Sequence, residues 1–171
     1  MKKLVLVLTL AAIAAAPASP VTALAGRYSK HFQNGFVDGS KYWADDVVEI
    51  VPVDATHAYF RAELSFYNGH ECSLTGVAKA VGNKLVYREK EVTAFGGVDK
   101  PCTLSISASG KDLLLDDGDG TCKANCGARG TFSDFRFIPL SSKRPITYMA
   151  KLKGSDEYKG AVEAWTTGKT E

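Results

Sequence analysis

The central part of the chain alternates between apolar and polar residues with a period of two. Between residues 57 and 67 one set of positions is apolar and the other is mostly polar, the apolar set being Ala58, Phe60, Ala62, Leu64 and Phe66. Successive side chains of a β-strand point to opposite faces of its sheet. This alternation therefore predicts a strand with one buried face.

Further short runs extend the same pattern over most of the chain. Gly82-Asn83 and Gly110-Lys111 predict tight turns between neighbouring runs, and the aromatic-rich segment 26–43 predicts an opening strand and loop. Seven or eight strands in such a meander must close into a small barrel or pack as a sandwich to bury their apolar faces. The predicted fold class is therefore all-β and antiparallel, with the further runs at 46–53, 71–80, 84–91, 102–109, 112–116, 126–132 and 135–137.

The C-terminal part departs from this pattern and predicts a helical tail, residues 141–171, that packs on a β-domain at 26–140. Ser155 is a suitable N-cap, and one helix face then carries Tyr158, Ala161, Val162 and Trp165. A short amphipathic helix of this kind either closes one end of the β-domain or docks a partner. The first role is the more usual one.

The N-terminus has the pattern of a secretory signal peptide. A positively charged start precedes the apolar run from Leu4 to Ala16, and small residues permit cleavage after Ala18 or after Ala25. We expect removal of residues 1–25 and no integral membrane segment in the mature chain. These expectations describe a soluble periplasmic or secreted protein.

Removal of that leader changes the charge balance. The chain has 21 basic and 19 acidic side chains, and the leader holds two of the basic ones, which leaves 19 − 19 = 0. A chain without excess positive charge has no basic face made for nucleic acid or an anionic membrane. We therefore expect neither of them as a partner.

Four cysteines in an exported chain predict two disulfides. In the meander, Cys72 and Cys102 begin two strands that run in the same direction with one strand between them, about 10 Å apart, which is too far for a bridge. The favoured pairing is therefore Cys102–Cys122 with Cys72–Cys126. A local Cys122–Cys126 loop, with Cys72 paired to Cys102, is the alternative and requires a different strand order.

The favoured pairing gathers several loops at one rim of the β-domain. Loops on a rigid scaffold are common binding sites, so we expect polar side chains of this rim to contact a partner. The candidate residues are His70, Glu71, Lys100, Asp117, Asp119 and Arg129.

Patterns for catalysis and metal binding are weak in this chain. His70-Glu71 lacks the second histidine of a zinc metalloprotease motif, because Leu74 occupies that position. Zinc bound by cysteines and His70 is less favoured than disulfides in an exported protein. The acidic run 116–120 lacks the spacing and terminal glutamate of a calcium loop. We therefore predict a binding protein without cofactor or metal rather than an enzyme.

The spacing of cysteines and glycines resembles that of a known group of proteins. Its parts are Asn68-Gly69-His70-x-Cys72-x-x-x-Gly76, Leu85-Val86-Tyr87, Cys102-x-Leu104-x-Ile106 and Cys122-x-x-x-Cys126-Gly127-x-Arg129-Gly130. The pattern is similar to small exported bacterial proteins of mostly unassigned function, whose β-modules accompany LprI-like lysozyme-inhibitor domains. The resemblance covers about residues 45–137. It implies an inhibitor of lysozyme or another peptidoglycan hydrolase, in a defence or immunity role.

Three functions follow from these observations. As an inhibitor, the protein would insert a rim loop into the cleft of the hydrolase, where Lys100, His70 or Arg129 would pair with the catalytic carboxylates. As a small-ligand carrier, it would enclose an apolar molecule in a lipocalin-like barrel. As a structural envelope protein, it would use the tail helix as a partner contact. The interior of a carrier would be lined by Phe60, Leu64, Leu74 and Ile106.

Overall fold

The computed structural model describes residues 18–92 and 99–171. Its strands form one antiparallel sheet in which each strand pairs with the next along the chain, and the sheet curls into a nearly closed barrel. The predicted all-β meander is confirmed, and its closure is that of a barrel rather than a sandwich. The eight strands are β1 (Gly26–Gly35), β2 (Lys41–Pro52), β3 (His57–Phe66), β4 (His70–Val81), β5 (Lys84–Arg88), β6 (Thr103–Ser109), β7 (Asp112–Asp116) and β8 (Phe135–Pro139).

The meander places alternate connections at opposite ends of the barrel. The lower end carries the short connections 53–56, 82–83 and 110–111. The upper end carries the connections 36–40 and 67–69, the long loop 117–134 and the described part of the segment between β5 and β6. All the predicted rim residues therefore belong to the upper end.

The first and last strands of the barrel leave a gap between them. Near the lower end Arg27 and Arg144 exchange two backbone hydrogen bonds, of 2.9 and 2.8 Å, and the Ser29 amide donates to Ser142 Oγ at 3.2 Å. Above this point, no β-ladder joins β1 to β8 in the described part of the chain, although the two strands lie side by side. We term this gap the seam.

A short N-terminal helix, α1 (Pro20–Ala23), closes the lower end of the barrel. Val21 and Leu24 are 1% and 4% exposed and belong to the main core. The Tyr28 hydroxyl donates to the backbone carbonyl of Leu24 at 3.0 Å. Most of the predicted leader, residues 1–17, lies outside the described residues. The predicted removal of residues 1–25 would take Val21 and Leu24 out of this core, whereas cleavage after Ala18, the other site in the sequence pattern, would keep them.

Large side chains fill the middle of the barrel. Phe60, Leu64 and Ile106 are at most 1% exposed, and the ring of Phe60 packs edge-on against Tyr87 with centroids 5.4 Å apart. Tyr87 in turn lies directly over Gly76, where an added Cβ would come within 2.6 Å of Tyr87 Cδ2. The four residues proposed above as the lining of a carrier, Phe60, Leu64, Leu74 and Ile106, all belong to this one core cluster.

The C-terminal tail lies on the outer wall of the barrel, and not over one of its ends as the sequence pattern suggested. It contains α2 (Met149–Gly154) and α3 (Asp156–Thr166). Tyr158 packs on Tyr59 with ring centroids 4.7 Å apart, and Ala161 is buried in a cluster with Val51. Because the outward faces of β2 and β3 are apolar at these positions, the tail has an apolar surface to cover there, while α1 occupies the lower end.

Two local predictions need correction. The run 126–132 forms no strand, and only an isolated bridge joins Cys126 to Cys72. Its backbone is held by cross-links and by side-chain contacts instead of a neighbouring ladder, as described below. The strand predicted at 84–91 ends at Arg88, where the chain instead pairs with the C-terminal residue Glu171.

None of the helices within 18–92 and 99–171 has the length and apolar character needed to cross a bilayer.

Candidate functional site

Both disulfides lie at the upper end of the barrel and tie the long loop 117–134 to it. One joins Cys72 at the start of β4 to Cys126, and the other joins Cys102 just before β6 to Cys122. The favoured pairing is thus confirmed and the local Cys122–Cys126 loop is excluded. We term the surface formed by the described residues of 36–40, 67–71, 99–102 and 117–134 the stapled rim.

A single lysine organises the outermost turn of loop 117–134. Lys123 Nζ donates to three carbonyl oxygens at 2.8–3.0 Å, those of Gly127, Ala128 and Gly130. An ammonium group shared by three acceptors holds the backbone around it in one conformation. Gly130 lies so close to the first disulfide that an added Cβ would come within 2.6 Å of Cys72 Sγ. The Lys123 ammonium and the Cys72–Cys126 disulfide therefore hold this turn in place together.

Arg129 projects from this fixed turn. Its guanidinium lies over the ring of Tyr67, with Cζ 5.4 Å from the ring centroid. The Tyr67 hydroxyl donates to the carbonyl of Phe36 at 3.0 Å, and the amide of Val37 donates to Asn68 Oδ1 at 3.3 Å. Three separate connections thus meet in one surface.

That surface contains exposed apolar side chains. Phe36, Val37 and Tyr67 are 38%, 68% and 43% exposed. Tyr67 contacts the Arg129 guanidinium, and the backbones of Phe36 and Val37 are hydrogen-bonded to Tyr67 and Asn68. We term Phe36, Val37, Tyr67 and Arg129 the aromatic patch. Exposed groups of this kind mark interaction sites, and Tyr and Arg are over-represented among the residues that dominate binding energy.

Two of the predicted site residues lie beside the aromatic patch. His70 is half-buried beneath the Arg129 turn, where a Cβ on Gly127 would come within 2.9 Å of His70 Nδ1. Glu71 is exposed, and its carbonyl accepts a hydrogen bond from the Gly127 amide at 2.7 Å. The structure therefore brings Arg129, His70 and Glu71 together on one side of the rim.

The other predicted residues lie near the second disulfide. Lys100 and Asp119 form an exposed ion pair with an N–O distance of 3.8 Å, an arrangement that contributes little to stability. Asp117 is 4% exposed. One of its carboxylate oxygens accepts from the Cys122 amide at 3.0 Å and the other from the Ser133 hydroxyl at 2.6 Å. Asp117 therefore holds the loop together and presents no free oxygen to a partner.

A second polar cluster lies on the outer wall, below the tail. The carboxylate of Glu49 is fully buried and lies 2.9 Å from Arg61 Nη2 and 3.6 Å from Arg27 Nε. The Tyr148 hydroxyl also donates to it. Burial, and then the hydrogen bond to Glu49, raise the pKa of Tyr148. A buried carboxylate needs several donors to offset its lost hydration, so this cluster attaches the tail to the wall, beside a cleft of about 380 Å³.

The pattern of apolar and polar residues in the sequence does not identify several of these residues as part of a site. Phe36 differs from core aromatics only in standing next to a tight turn, and Tyr67 also lies on the mostly polar face of the run 57–67. Lys123 offers no signal, because its three acceptors are backbone groups whose positions depend on the loop conformation. Arg27 and Arg61 align with Glu49 only through the register of β1, β2 and β3.

No protein-family model, curated protein or solved structure matches this chain.

Proposed function

We propose that the protein is an exported binding protein that inhibits a lysozyme or another peptidoglycan hydrolase by covering its substrate cleft with the stapled rim. The observation that carries this proposal is the fixed presentation of Arg129. Its turn is held by Lys123 and a disulfide, and its guanidinium rests on Tyr67.

The chemistry of the target matches this arrangement. Glycoside hydrolases hold a pair of carboxylic groups on either side of the scissile bond. A guanidinium is always charged and binds carboxylates with two parallel hydrogen bonds. Arg129 can therefore occupy the position of the substrate and neutralise the groups that perform the reaction.

The rigidity of the rim also favours tight binding. A side chain that is ordered before binding loses little conformational entropy in the complex. The aromatic patch around Arg129 supplies apolar area that excludes water from the ion pair, as in the centres of known interfaces. A neutral mature chain approaches a cationic enzyme without long-range attraction, so the contact energy must come from this local patch.

The proposal is tested by adding the purified protein to a cell-wall lysis assay with lysozymes of different structural classes. We expect inhibition of at least one class at micromolar concentration, and we expect Arg129→Ala to weaken it at least tenfold. Arg144→Ala is the matched control, because Arg144 is an exposed arginine at the lower end of the barrel. It should leave inhibition unchanged.

Two results would contradict the proposal. One is undiminished lysis by every hydrolase at a tenfold molar excess of the protein. The other is inhibition that Arg129→Ala and Arg144→Ala reduce equally, which would place the contact away from the rim. The unfolding temperature of each variant shows whether the fold is retained.

A further inference from the structure

The seam between β1 and β8 contains a pocket of about 230 Å³. It forms where the barrel fails to close, above the hydrogen bonds that join Arg27 to Arg144. The pairing of β8 with β7 shifts register between Leu113 and Leu115, and this irregularity leaves Phe137 61% exposed beside the gap. Its lining includes Lys30, Asn34 and Asp46 together with the rings of Phe32, Phe135 and Phe137.

Aromatic rings form the walls of the seam pocket. Phe135 packs edge-on against Phe66 and Phe137, with ring centroids 6.0 and 5.2 Å apart. Phe32 lies opposite them on β1. A cavity of about 150 Å³ with apolar walls accommodates benzene. The seam pocket is therefore large enough for one aromatic ring with short substituents.

Two hydrogen-bond donors in this pocket are unused. Lys30 Nζ lies 5.5 Å from the ring centre of Phe32 and 5.3 Å from that of Phe137. No hydrogen bond or close ion pair joins it to another residue in 18–92 or 99–171. Asn34 Nδ2 is buried and also lacks a partner, while its Oδ1 accepts from the Gly35 amide at 2.9 Å. Lys30 is half-buried, whereas a buried donor without a partner, such as Asn34 Nδ2, is costly and points to an acceptor from outside.

The spacing of these donors indicates how a ligand would lie. Lys30 and Asn34 are four residues apart on the same face of β1, which separates their Cα atoms by about 13 Å. They therefore meet opposite ends of one ligand and not a single group. Between them, the phenylalanine walls require an apolar body.

We propose that the seam binds a small aromatic carboxylate that carries a second acceptor, such as a hydroxyl, at the far end of its ring. The carboxylate pairs with the Lys30 ammonium, the ring lies among the phenylalanines, and the second oxygen accepts from Asn34 Nδ2. The pocket shares Tyr67 with the aromatic patch, but binding at Lys30 and Asn34 does not depend on the proposed inhibition.

Asp46 makes the charge selectivity of the site testable. Its carboxyl group is 2% exposed and accepts from the Ser65 amide at 2.8 Å. A deprotonated Asp46 repels a bound carboxylate and attracts a bound amine. Replacing it with asparagine therefore has opposite effects on the two kinds of ligand.

The experiment is a titration of the ¹⁵N-labelled protein with 4-hydroxyphenylacetate, followed through backbone amide shifts at pH 7. We expect shifts in β1 and β8 around the seam, an affinity at least tenfold lower in Lys30→Met, and a severalfold higher affinity in Asp46→Asn. Lys84→Met is the matched control, because Lys84 is exposed at the lower end of the barrel, and it should bind like the unaltered protein.

Three outcomes would overturn the proposal. The first is the absence of seam shifts at 10 mM 4-hydroxyphenylacetate. The second is equal affinity in Lys30→Met and Lys84→Met. The third is tighter binding of 4-hydroxybenzylamine, weakened by Asp46→Asn, which would make the seam a cation site. The amide spectrum of each variant reports its folding independently of binding.

Discussion

The two ends of the barrel are closed by different means. At the lower end, Val21 and Leu24 of the N-terminal segment enter the core and short turns connect the strands. At the upper end, the chain runs through long loops with few buried apolar side chains, and two disulfides hold them down.

This difference separates stability from binding. The lower end contributes hydrophobic burial and leaves little protruding chain. The upper end buries Phe132 and obtains further rigidity from covalent links, so other side chains of its loops, such as Arg129, are not needed for packing and remain exposed. Loops fixed in this way are suited to carry a binding surface, and the aromatic patch lies on them.

We expect the largest loss in the free energy of unfolding when the two disulfides of the upper end are removed. The Cys72–Cys126 and Cys102–Cys122 links span sequence separations of 54 and 20 residues. Loop-closure entropy then predicts losses of about 4 and about 3 kcal/mol when each pair is replaced by alanine. Urea unfolding of the two double variants measures these values. A larger loss for the shorter loop would contradict the entropic account.

Truncating Leu24 in the N-terminal segment should remove hydrophobic burial at the lower end and so destabilise the fold. Leu24→Ala removes a side chain that is 4% exposed in the core, and we expect a loss of about 3 kcal/mol in the free energy of unfolding. Val81→Ala is the control, since Val81 is 49% exposed at the same end and should change stability by less than about 0.5 kcal/mol. Equal effects in urea unfolding would show that the segment is not part of the core.

The pH dependence of the free energy of unfolding should show the raised pKa of Asp46, a residue near the upper end of the barrel interior. Burial raises the pKa of Asp46 to about 6, against a hydrogen bond from Ser65 and the charge of Lys30, which lower it, while the charge of Asp45 raises it. The folded state therefore holds this proton more tightly than the unfolded state. The resulting stability is fully present below the unfolded pKa of 3.8 and is lost as the pH rises through about 6.

Between pH 5 and pH 8 this loss amounts to about 1 kcal/mol. It is measured as the difference in urea unfolding between the unaltered protein and Asp46→Asn, because other titrating groups affect both alike. The difference should favour the unaltered protein more at pH 5 than at pH 8. A difference that does not change with pH would contradict the raised pKa.

Replacing Lys123 should have the smallest effect on overall stability and a strong local one. Lys123→Met removes three hydrogen bonds from one half-buried ammonium, and we expect a loss of about 1 kcal/mol. Amide hydrogen exchange of residues 127–130 should accelerate far more than that of β3 and β4. Unchanged exchange in that turn would mean that the disulfide alone fixes Arg129.

The strands were predictable and the rim was only partly so. The alternation at 57–67 predicts β3 because a strand with one buried face imposes that period on its sequence. The disulfide pairing follows from strand order, since alternate strands are too far apart to be bridged. The prediction of a strand at 126–132 was wrong, because alternation of small residues also occurs in a loop held by disulfides.

The tail shows a related limit. Ser155 and the stripe from Tyr158 to Trp165 predict α3, and the Ser155 side chain accepts from the Tyr158 amide at 3.2 Å. This apolar stripe does not indicate which surface of the barrel α3 covers. That choice was decided by Val51 and Tyr59, whose outward apolar faces exist only once β2 and β3 are paired.

The sequence alone determined the all-β meander, the helical tail and the cystines, because each depends on a local period or on the order of elements along the chain. Tertiary structure alone decided the seam, the Glu49 cluster and the aromatic patch. These features join residues far apart in the chain through register, barrel curvature and loop conformation. Such contacts leave no periodic trace in the sequence, since each one involves single residues that only the closed barrel brings together.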